Sequence, residues 1–268
     1  MNELQVLVAT VNQNDCSLIH RMNLQCDAVI ANQAGREELN NCQTQYGNIK
    51  MITTDTRGVG LNRNIALLAA QAPLVLFADD DMVYYDGVPE AVVRAFAENP
   101  KADVLVFGVD IVKDGKVVEK RHLQPKRLRL WNAMRFGTYR IAVRRSALVK
   151  NNILFNHNFG GGCPFSCGED SLFLKACFDN RLKVYAHPLV LGTCAKDSSS
   201  WFQGYNEKFF YDKGVLMRYL FPRIPYLMAV CFGIKYRYKT DLSLTKRIAW
   251  MLKGVKGGKL LQPYHKDL

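Results

Sequence analysis

Residues 74–82 read LVLFADDDM, a short apolar run that leads directly into three consecutive aspartates, Asp79, Asp80 and Asp81. Five apolar residues bounded by Pro73 and by charge are typical of a strand buried inside a parallel sheet. Adjacent carboxylates repel one another, so such a cluster favours a bound cation. Carboxylate oxygens suit Mn²⁺ or Mg²⁺, which leave coordination positions open to phosphate oxygens. The motif alone fits glycosyl transfer, nucleotidyl transfer or nuclease chemistry, and an acidic loop that caps a helix is the simpler alternative.

Similar patterns on both sides of this run predict an alternation of strands and helices. Strands are predicted at residues 4–11, 28–31, 50–53, 74–78 and 104–112, and helices at 61–72 and 88–98. This alternation predicts an α/β fold whose parallel sheet is covered by helices, with functional loops at the carboxyl ends of the strands. Three polar loops, at residues 12–15, 32–36 and 79–81, fall at those ends.

The composition excludes several classes of protein. The chain has 268 residues, 49% of them apolar, which is enough for one large domain with a full core. No stretch approaches the roughly 20 apolar residues of a membrane-spanning helix. The first residues, MNELQVLVATV, lack the basic segment of a secretory signal. We therefore expect neither an integral membrane protein, nor a secreted protein, nor a fibrous one.

The eight cysteines are irregularly spaced. The closest pair, Cys163 and Cys167, has three intervening residues and no matching second pair, so structural zinc is not expected. A chain of this size without an export signal has little need of disulfides. We therefore predict reduced thiols, mostly buried as small apolar groups.

The net charge of +12 is concentrated near the C-terminus. Residues 213–268 contain twelve lysines and arginines but only two aspartates, so an anionic partner is expected: membrane lipid, nucleic acid or an acidic acceptor. Four apolar residues in this segment share one helical face and are flanked by basic side chains: Ile248, Met251, Leu252 and Val255. The pattern fits a helix that lies in a membrane interface and, equally well, a helix packed on the rest of the protein.

Two further motifs carry candidate functional residues. Residues 57–64, RGVGLNRN, combine a glycine turn with Arg63 at the start of a helix, where it can approach a base or a phosphate. Residues 160–170, GGGCPFSCGED, form a glycine-rich loop that ends in Glu169 and Asp170. Acidic residues also stabilise the first turn of any helix, which is the alternative explanation of this pair.

Taken in chain order, these motifs resemble family 2 glycosyltransferases of the GT-A fold over roughly residues 1–190. The resemblance rests on Val8–Asn12, Gly58–Ala66, the aspartates of a DxD element and Gly168–Asp170 of an ED element. It implies a mostly parallel central sheet flanked by helices, followed by a basic helical extension. The catalytic domain would span residues 1–212, with a nucleotide-binding half of about 1–110 and an acceptor half of about 111–212. The extension would span residues 213–268 and either associate with a membrane or pack on the catalytic domain.

The resemblance also implies individual roles. Asp170 would be the general base, with Glu169 beside it, while Asp79 and Asp81 would hold Mn²⁺ or Mg²⁺ and Asp80 would touch the ribose or the sugar. The implied nucleotide-sugar contacts are Thr10, Asn12, Asn32, Arg63, Asp79 and Asp80. Asn32 replaces an aspartate found in many relatives, which leaves the donor base open, although a UDP-sugar is expected. His187 is either a third metal ligand or a structural histidine. Gly162 and Trp201 are candidates on the acceptor side.

The function expected from these features is metal-dependent, inverting transfer of a sugar from a nucleoside diphosphate to a hydroxyl. A glycan or lipid-linked acceptor in cell-surface polysaccharide synthesis is expected, at the cytoplasmic face of a membrane. A nucleic-acid-processing or nucleotidyl-transfer enzyme is the main alternative, but the basic residues are confined to the tail and no nucleic-acid-binding motif appears. A non-catalytic binding module is a third possibility, which the intact acidic groups disfavour.

Overall fold

The structure, a computed structural model, describes residues 3–195 and 204–265. Within these ranges it contains an eleven-stranded mixed sheet and nine α-helices. The strands are β1 Leu4–Val11, β2 Asp27–Gln33, β3 Glu38–Thr44, β4 Gly47–Thr54, β5 Leu74–Asp79, β6 Met82–Tyr84, β7 Val104–Lys113, β8 Lys116–Arg121, β9 Lys126–Arg127, β10 Ile141–Arg144 and β11 Val184–Ala195. The helices are α1 Leu18–Arg21, α2 Val59–Ala69, α3 Val88–Glu98, α4 Leu130–Ala133, α5 Arg145–Lys150, α6 Glu169–Asp179, α7 Glu207–Leu220, α8 Pro225–Lys235 and α9 Leu244–Gly257.

The sheet order places the carboxyl ends of the central strands side by side. The order is β3-β4-β2-β1-β5-β10-β7-β11-β6, with β8 paired to β7 and β9 paired to β11. The strands β4, β2, β1 and β5 are mutually parallel, and β10 is antiparallel to both of its neighbours, β5 and β7. The predicted α/β architecture with a mostly parallel central sheet is confirmed. The polar loops after β1, β2 and β5 therefore meet at one edge of the sheet.

Apolar side chains cover both faces of the sheet. Successive residues of a strand point to opposite faces, so Val8 packs in one core with α3 while Leu7 packs in another with α2 and α6. Phe77 of β5 contacts Phe155 and Phe173 in edge-to-face geometry in the second core. These buried contacts fix the end of β5, and with it the start of the aspartate turn.

The three C-terminal helices form a separate core on the same domain. Met251 and Val255 of α9 are fully buried against α7, so of the two alternatives for this apolar stripe the structure shows the one in which it packs on the protein. Gly214 of α7 and Gly254 of α9 allow the two backbones to approach closely. The boundary expected between residues 212 and 213 lies inside α7, because that helix begins at Glu207. Among the described helices, none has the length and apolar content required to span a bilayer.

One prediction about the cysteines is wrong. Cys16, in the loop after β1, forms a disulfide with Cys42 of β3, and their Cα atoms are 6.9 Å apart. Antiparallel pairing of β3 with β4 at the sheet edge brings the two residues together. A separation of 26 residues and an edge strand of polar composition hid this contact from sequence reasoning. The other six cysteines carry free thiols, as predicted.

Candidate active site

A single buried guanidinium joins the two acidic motifs. Arg63 lies in the first turns of α2, which begins directly after Gly58, and only 5% of its side chain is exposed. Its Nη2 donates to Asp79 Oδ1 at 2.7 Å, and its Nη1 lies 3.2 Å from Glu169 Oε1 and 3.3 Å from Asp170 Oδ1. Three surrounding carboxylates hold the pKa of Arg63 above its usual range in spite of its burial. The end of β5 and the start of α6 are thereby fixed to each other.

Asp170 has the environment of a general base. Burial and the adjacent Glu169 raise its pKa to about 7, although Arg63 and the hydroxyl of Thr138 act in the opposite direction. Thr138 donates to Asp170 Oδ1, the same oxygen that faces Arg63. Within residues 3–195 and 204–265, the hydrogen bonds to Asp170 all reach Oδ1, so Oδ2 remains able to accept a proton. A carboxylate with a pKa near neutrality suits proton abstraction from a hydroxyl at physiological pH.

The three aspartates after β5 have different surroundings. Asp79 is paired with Arg63, and Asp80 accepts a hydrogen bond from the hydroxyl of Thr10. The Asp81 carboxylate accepts a hydrogen bond from the thiol of Cys194 at 3.4 Å. Burial, then the charges of Asp79 and Asp80, raise the pKa of Asp81 to about 6. The turn thus concentrates negative charge that Arg63 neutralises only at Asp79.

This donor set fits a hard divalent cation held in part by its substrate. Across the described ranges, no cluster of three or more carboxylate, thiol or imidazole groups is arranged to enclose an ion. Asp79 and Asp81 nevertheless line the same cavity with carboxylate oxygens, the ligands that Mg²⁺ and Mn²⁺ prefer. Mg²⁺ commonly takes only one or two protein carboxylates and completes its octahedron with water and phosphate oxygens. The two aspartates therefore fit a cation that binds together with a diphosphate.

All five carboxylates line one cavity of about 730 Å³, a volume within the usual range for small-molecule sites. Its wall on the β1 side includes Thr10, Val11 and Gln33, and the opposite wall includes residues 134–137 and Lys213. The floor is formed by the Arg63 cluster. The cavity is open to solvent.

Two residues expected to contact the nucleotide are not among those that line the cavity. The fully buried amide of Asn32 bonds with the main chain of Gln13 and with the hydroxyl of Thr53, so it stabilises the loop after β1. Asn12 turns the chain at a φ of 55° and does not line the cavity, whereas Gln33 does. Thr10 lies at the cavity wall as expected, and its carbonyl accepts a hydrogen bond from Asn62 Nδ2 at 3.0 Å.

Three predicted site residues remain: His187, Gly162 and Trp201. His187 is packed edge-to-face on Phe107, and its Nδ1 accepts a hydrogen bond from the N–H of Leu189 at 3.2 Å. His187 does not line the cavity, and its role as a metal ligand stays a prediction. Gly162 is at the exposed tip of its loop, while Gly161 lines the cavity. Trp201 lies outside the described residues.

Sequence reasoning overlooked four residues that build the site. Thr138 is fully buried and donates a hydrogen bond to Asp170, and Arg135 lines the cavity. Asp212 of α7 is fully buried and accepts from Ser166 N and Oγ at 3.0 and 2.8 Å, which ties α7 to the glycine-rich loop. Lys213, counted with the basic tail, lines the cavity. Only the helical pattern of α7 could have located the last two, since neither belongs to a recognisable motif.

Comparisons with known proteins show the family and the fold of this chain. The family model described as "Glycosyl transferase family 2" matches residues 9–180. Residues 1–349 of TarS from S. aureus, solved with UDP-GlcNAc, superpose with a TM-score of 0.59 at 17% identity, covering 94% of this chain and 71% of that one. The complex of the same fragment with UDP also gives 0.59 at 17%, covering 95% and 71%. A longer TarS chain gives 0.57 at 16%, covering 94% of this chain and 43% of TarS. No curated protein matches the sequence significantly.

Proposed function

Since the chain belongs to glycosyl transferase family 2, we propose that its cavity binds a nucleoside diphosphate sugar and a hydroxyl-bearing acceptor for inverting transfer. One observation carries the proposal. The aspartate turn and the Glu169–Asp170 pair, which lie about 90 residues apart in the chain, meet on the guanidinium of Arg63 in one cavity. This juxtaposition supports a donor site next to a general base, as one displacement reaction requires.

The donor would lie along the carboxyl ends of β1 and β5, with its nucleoside toward Thr10 and Gln33. A UDP-sugar is the donor we propose, and the TarS complexes with UDP-GlcNAc and UDP, which share the fold, support that choice. Asp79 and Asp81 would hold Mn²⁺ or Mg²⁺ at the diphosphate. A bound divalent cation supplies electrostatic stabilisation to the departing diphosphate. Arg135 and Lys213 add positive charge at the opposite wall.

Asp170 would take the proton of the acceptor hydroxyl on Oδ2. The freed oxygen electron pair then forms the bond to the anomeric carbon, and the bond from that carbon to the diphosphate oxygen breaks. The leaving diphosphate carries away the electron pair of the broken bond. Arg63 holds Asp170 in position, and Thr138 orients its other oxygen. Attack from the side opposite the leaving group inverts the anomeric centre.

The acceptor we propose is a glycan or a lipid-linked sugar, in the synthesis of a surface polysaccharide. The protein would act in the cytoplasm, peripherally on the inner face of the membrane. The net charge of +10 on residues 213–268 supports a location at an anionic surface. The cavity is open to solvent, which leaves room for a large acceptor.

Calorimetry of UDP binding tests the donor site. Asp81→Ala should reduce the affinity for UDP in the presence of Mn²⁺ by at least tenfold, because it removes one of the two proposed cation ligands. Chelation with EDTA should weaken binding to the wild type by a similar factor and have little effect on the variant. Asp179→Ala, an exposed carboxylate at the end of α6, is the matched control and should bind as the wild type does. Unchanged affinity in Asp81→Ala would refute the assignment.

A further inference from the structure

Helix α8 presents an apolar stripe to solvent. Ile224, at its N-cap, and then Leu227, Cys231 and Ile234 recur at spacings of three and four residues, and all four are exposed. This spacing places them on one face of the helix. Leu227 is 58% exposed, and Tyr238, which continues the stripe beyond the helix end, is 83% exposed. A surface helix ordinarily turns such residues toward the core, so this arrangement calls for a partner.

The opposite face of α8 fixes the helix in this orientation. Pro225, Ala229 and Gly233 recur every four residues and are buried. A Cβ at Gly233 would lie 2.9 Å from Ile248 Cγ1 of α9, so the two helices are in close contact there. Rotation of α8 to bury its apolar stripe would break this contact. The outward stripe is therefore a consequence of how the three C-terminal helices pack.

Basic side chains surround the stripe. Arg223 precedes α8, Lys235 lies in its last turn, and Arg237 and Lys239 follow it. Within the described part of the chain, none of the four lies within 4.0 Å of a carboxylate. Residues 213–265 contain a single acidic residue, Asp241. The surface thus combines exposed apolar side chains with positive charge that is not neutralised by nearby acids.

We infer that the outer face of α8 is the membrane-contact surface of this protein and that it binds an anionic lipid bilayer. This inference rests on the proposed function, which places the enzyme at a membrane, and it assigns that contact to α8 instead of α9. The apolar residues enter the boundary between headgroups and acyl chains, and the basic residues contact anionic headgroups. Each such basic residue strengthens binding about fivefold at low salt.

The composition of this surface favours an anionic bilayer over two other partners, a second copy of the chain and an anionic polymer. A second copy of the chain, docked face to face, would bring the same four basic residues against each other, which disfavours a symmetric dimer. An anionic polymer would pair with the basic residues but would leave the apolar stripe in water. An anionic bilayer satisfies both parts of the surface.

Co-sedimentation of the full chain with vesicles tests the inference. The wild type should bind vesicles of phosphatidylcholine and phosphatidylglycerol, bind phosphatidylcholine alone at least tenfold more weakly, and lose affinity as salt is raised. Leu227→Glu combined with Ile234→Glu should weaken binding more than tenfold. Val149→Glu, at a similarly exposed apolar residue on α5, should have no effect.

A second set of variants tests the charges. Lys235→Gln, Arg237→Gln and Lys239→Gln together should reduce the affinity for anionic vesicles about a hundredfold. Lys116→Gln and Lys120→Gln, two exposed lysines on β8, are the control and should change it less than threefold. Truncation is unsuitable, because removal of α9 would expose the buried contact surface of α7.

The results of these experiments test this inference separately from the proposed function. UDP binding by calorimetry should be unchanged in every α8 variant, which also shows that each is folded. Loss of vesicle binding with intact UDP binding supports the inference. It is overturned if the wild type ignores anionic vesicles, or if the α8 variants bind them as the wild type does. It is also overturned if light scattering shows a dimer that the same substitutions dissociate. Failure of the wild type to bind UDP would count against the proposed function alone.

Discussion

At the scale of single residues, Arg63 links the two acidic motifs of the site. Its guanidinium contacts Asp79, Glu169 and Asp170, and the burial of those contacts makes the pairing costly to break. One positive charge faces three negative ones, so the cluster retains affinity for further cations. The same arrangement explains why Asp170 is difficult to ionise although an arginine is next to it: burial and Glu169 outweigh the attraction.

Substitution of Asp170, the proposed base, should separate chemistry from binding. Asp170→Asn should lower kcat for sugar transfer by about 10²–10⁴, because the amide cannot accept the proton of the acceptor hydroxyl. The Kd for UDP should stay within about threefold of the wild-type value. Asp179→Asn, nine residues along the chain at the exposed end of α6, should leave both quantities unchanged. A Kd that collapses together with kcat would contradict the role of base.

The rate should depend on pH through Asp170. The carboxylate is active when deprotonated and its pKa is about 7, so kcat should fall about tenfold per pH unit below 7 and level off above it. Thr138→Val removes a hydrogen bond that lowers this pKa and should shift the midpoint to higher pH. Activity measured between pH 5.5 and 8.5 checks both expectations. A flat profile in the wild type would exclude Asp170 as the titrating base.

At the residue scale, sequence patterns located the acidic motifs but not their neighbours. Three adjacent aspartates after a buried strand and an acidic pair at a helix start are local signals, and the structure brings both to the cavity. Thr138, Arg135 and Lys213 reach the cavity only through tertiary packing, which leaves no local pattern. Asn32 shows the converse, because its polar side chain at a strand end forms all of its hydrogen bonds in the structure with Gln13 and Thr53.

At the scale of elements, burial decided which strands could be predicted. The central strands β1 and β5 are apolar runs, and β1 and α3 begin and end where the sequence predicts. The edge strand β3 was missed because its sequence, ELNNCQT, is polar and only one of its sides is paired in the sheet. The apolar stripe of α9 was recognised, but periodicity alone cannot tell whether such a stripe faces a membrane or α7.

The crossing of α7 and α9 depends on glycine. A Cβ at Gly254 would lie 2.0 Å from the carbonyl oxygen of Tyr211, so Gly254→Ala should force the helices apart and lower the free energy of unfolding by about 1–3 kcal/mol. Urea unfolding measures this change. Alanine has the higher helix propensity, so at an uncrowded position the same substitution would stabilise the protein. A gain in stability would show that the helices are not in close contact.

Lys256→Ala provides the matched control on the same helix. Its side chain is exposed, and the substitution should change the free energy of unfolding by less than about 0.5 kcal/mol. Gly214→Ala should behave as Gly254→Ala does, because its Cβ would lie 2.0 Å from the carbonyl oxygen of Met251. The two glycines lie on different helices at the same crossing, so both substitutions test how closely α7 and α9 approach each other.

At the scale of the whole molecule, the C-terminal helices belong to the catalytic unit. Helix α7 places Lys213 at the cavity and Asp212 beneath the glycine-rich loop, and it also packs against α8 and α9. A bilayer bound at α8 would therefore be connected to the cavity through one rigid element. The basic extension, predicted as a separate unit, contributes directly to the site.

A crystal structure of the protein with UDP and Mn²⁺ tests the central claim most directly. The claim is that one cavity, enclosed between the aspartate turn and the Glu169–Asp170 pair, holds the nucleotide diphosphate. The account predicts density for the diphosphate beside Asp79 and Asp81, the uracil toward Thr10 and Gln33, and Asp170 facing the empty sugar position. A nucleotide bound outside this cavity, or a diphosphate remote from Asp79 and Asp81, would contradict it.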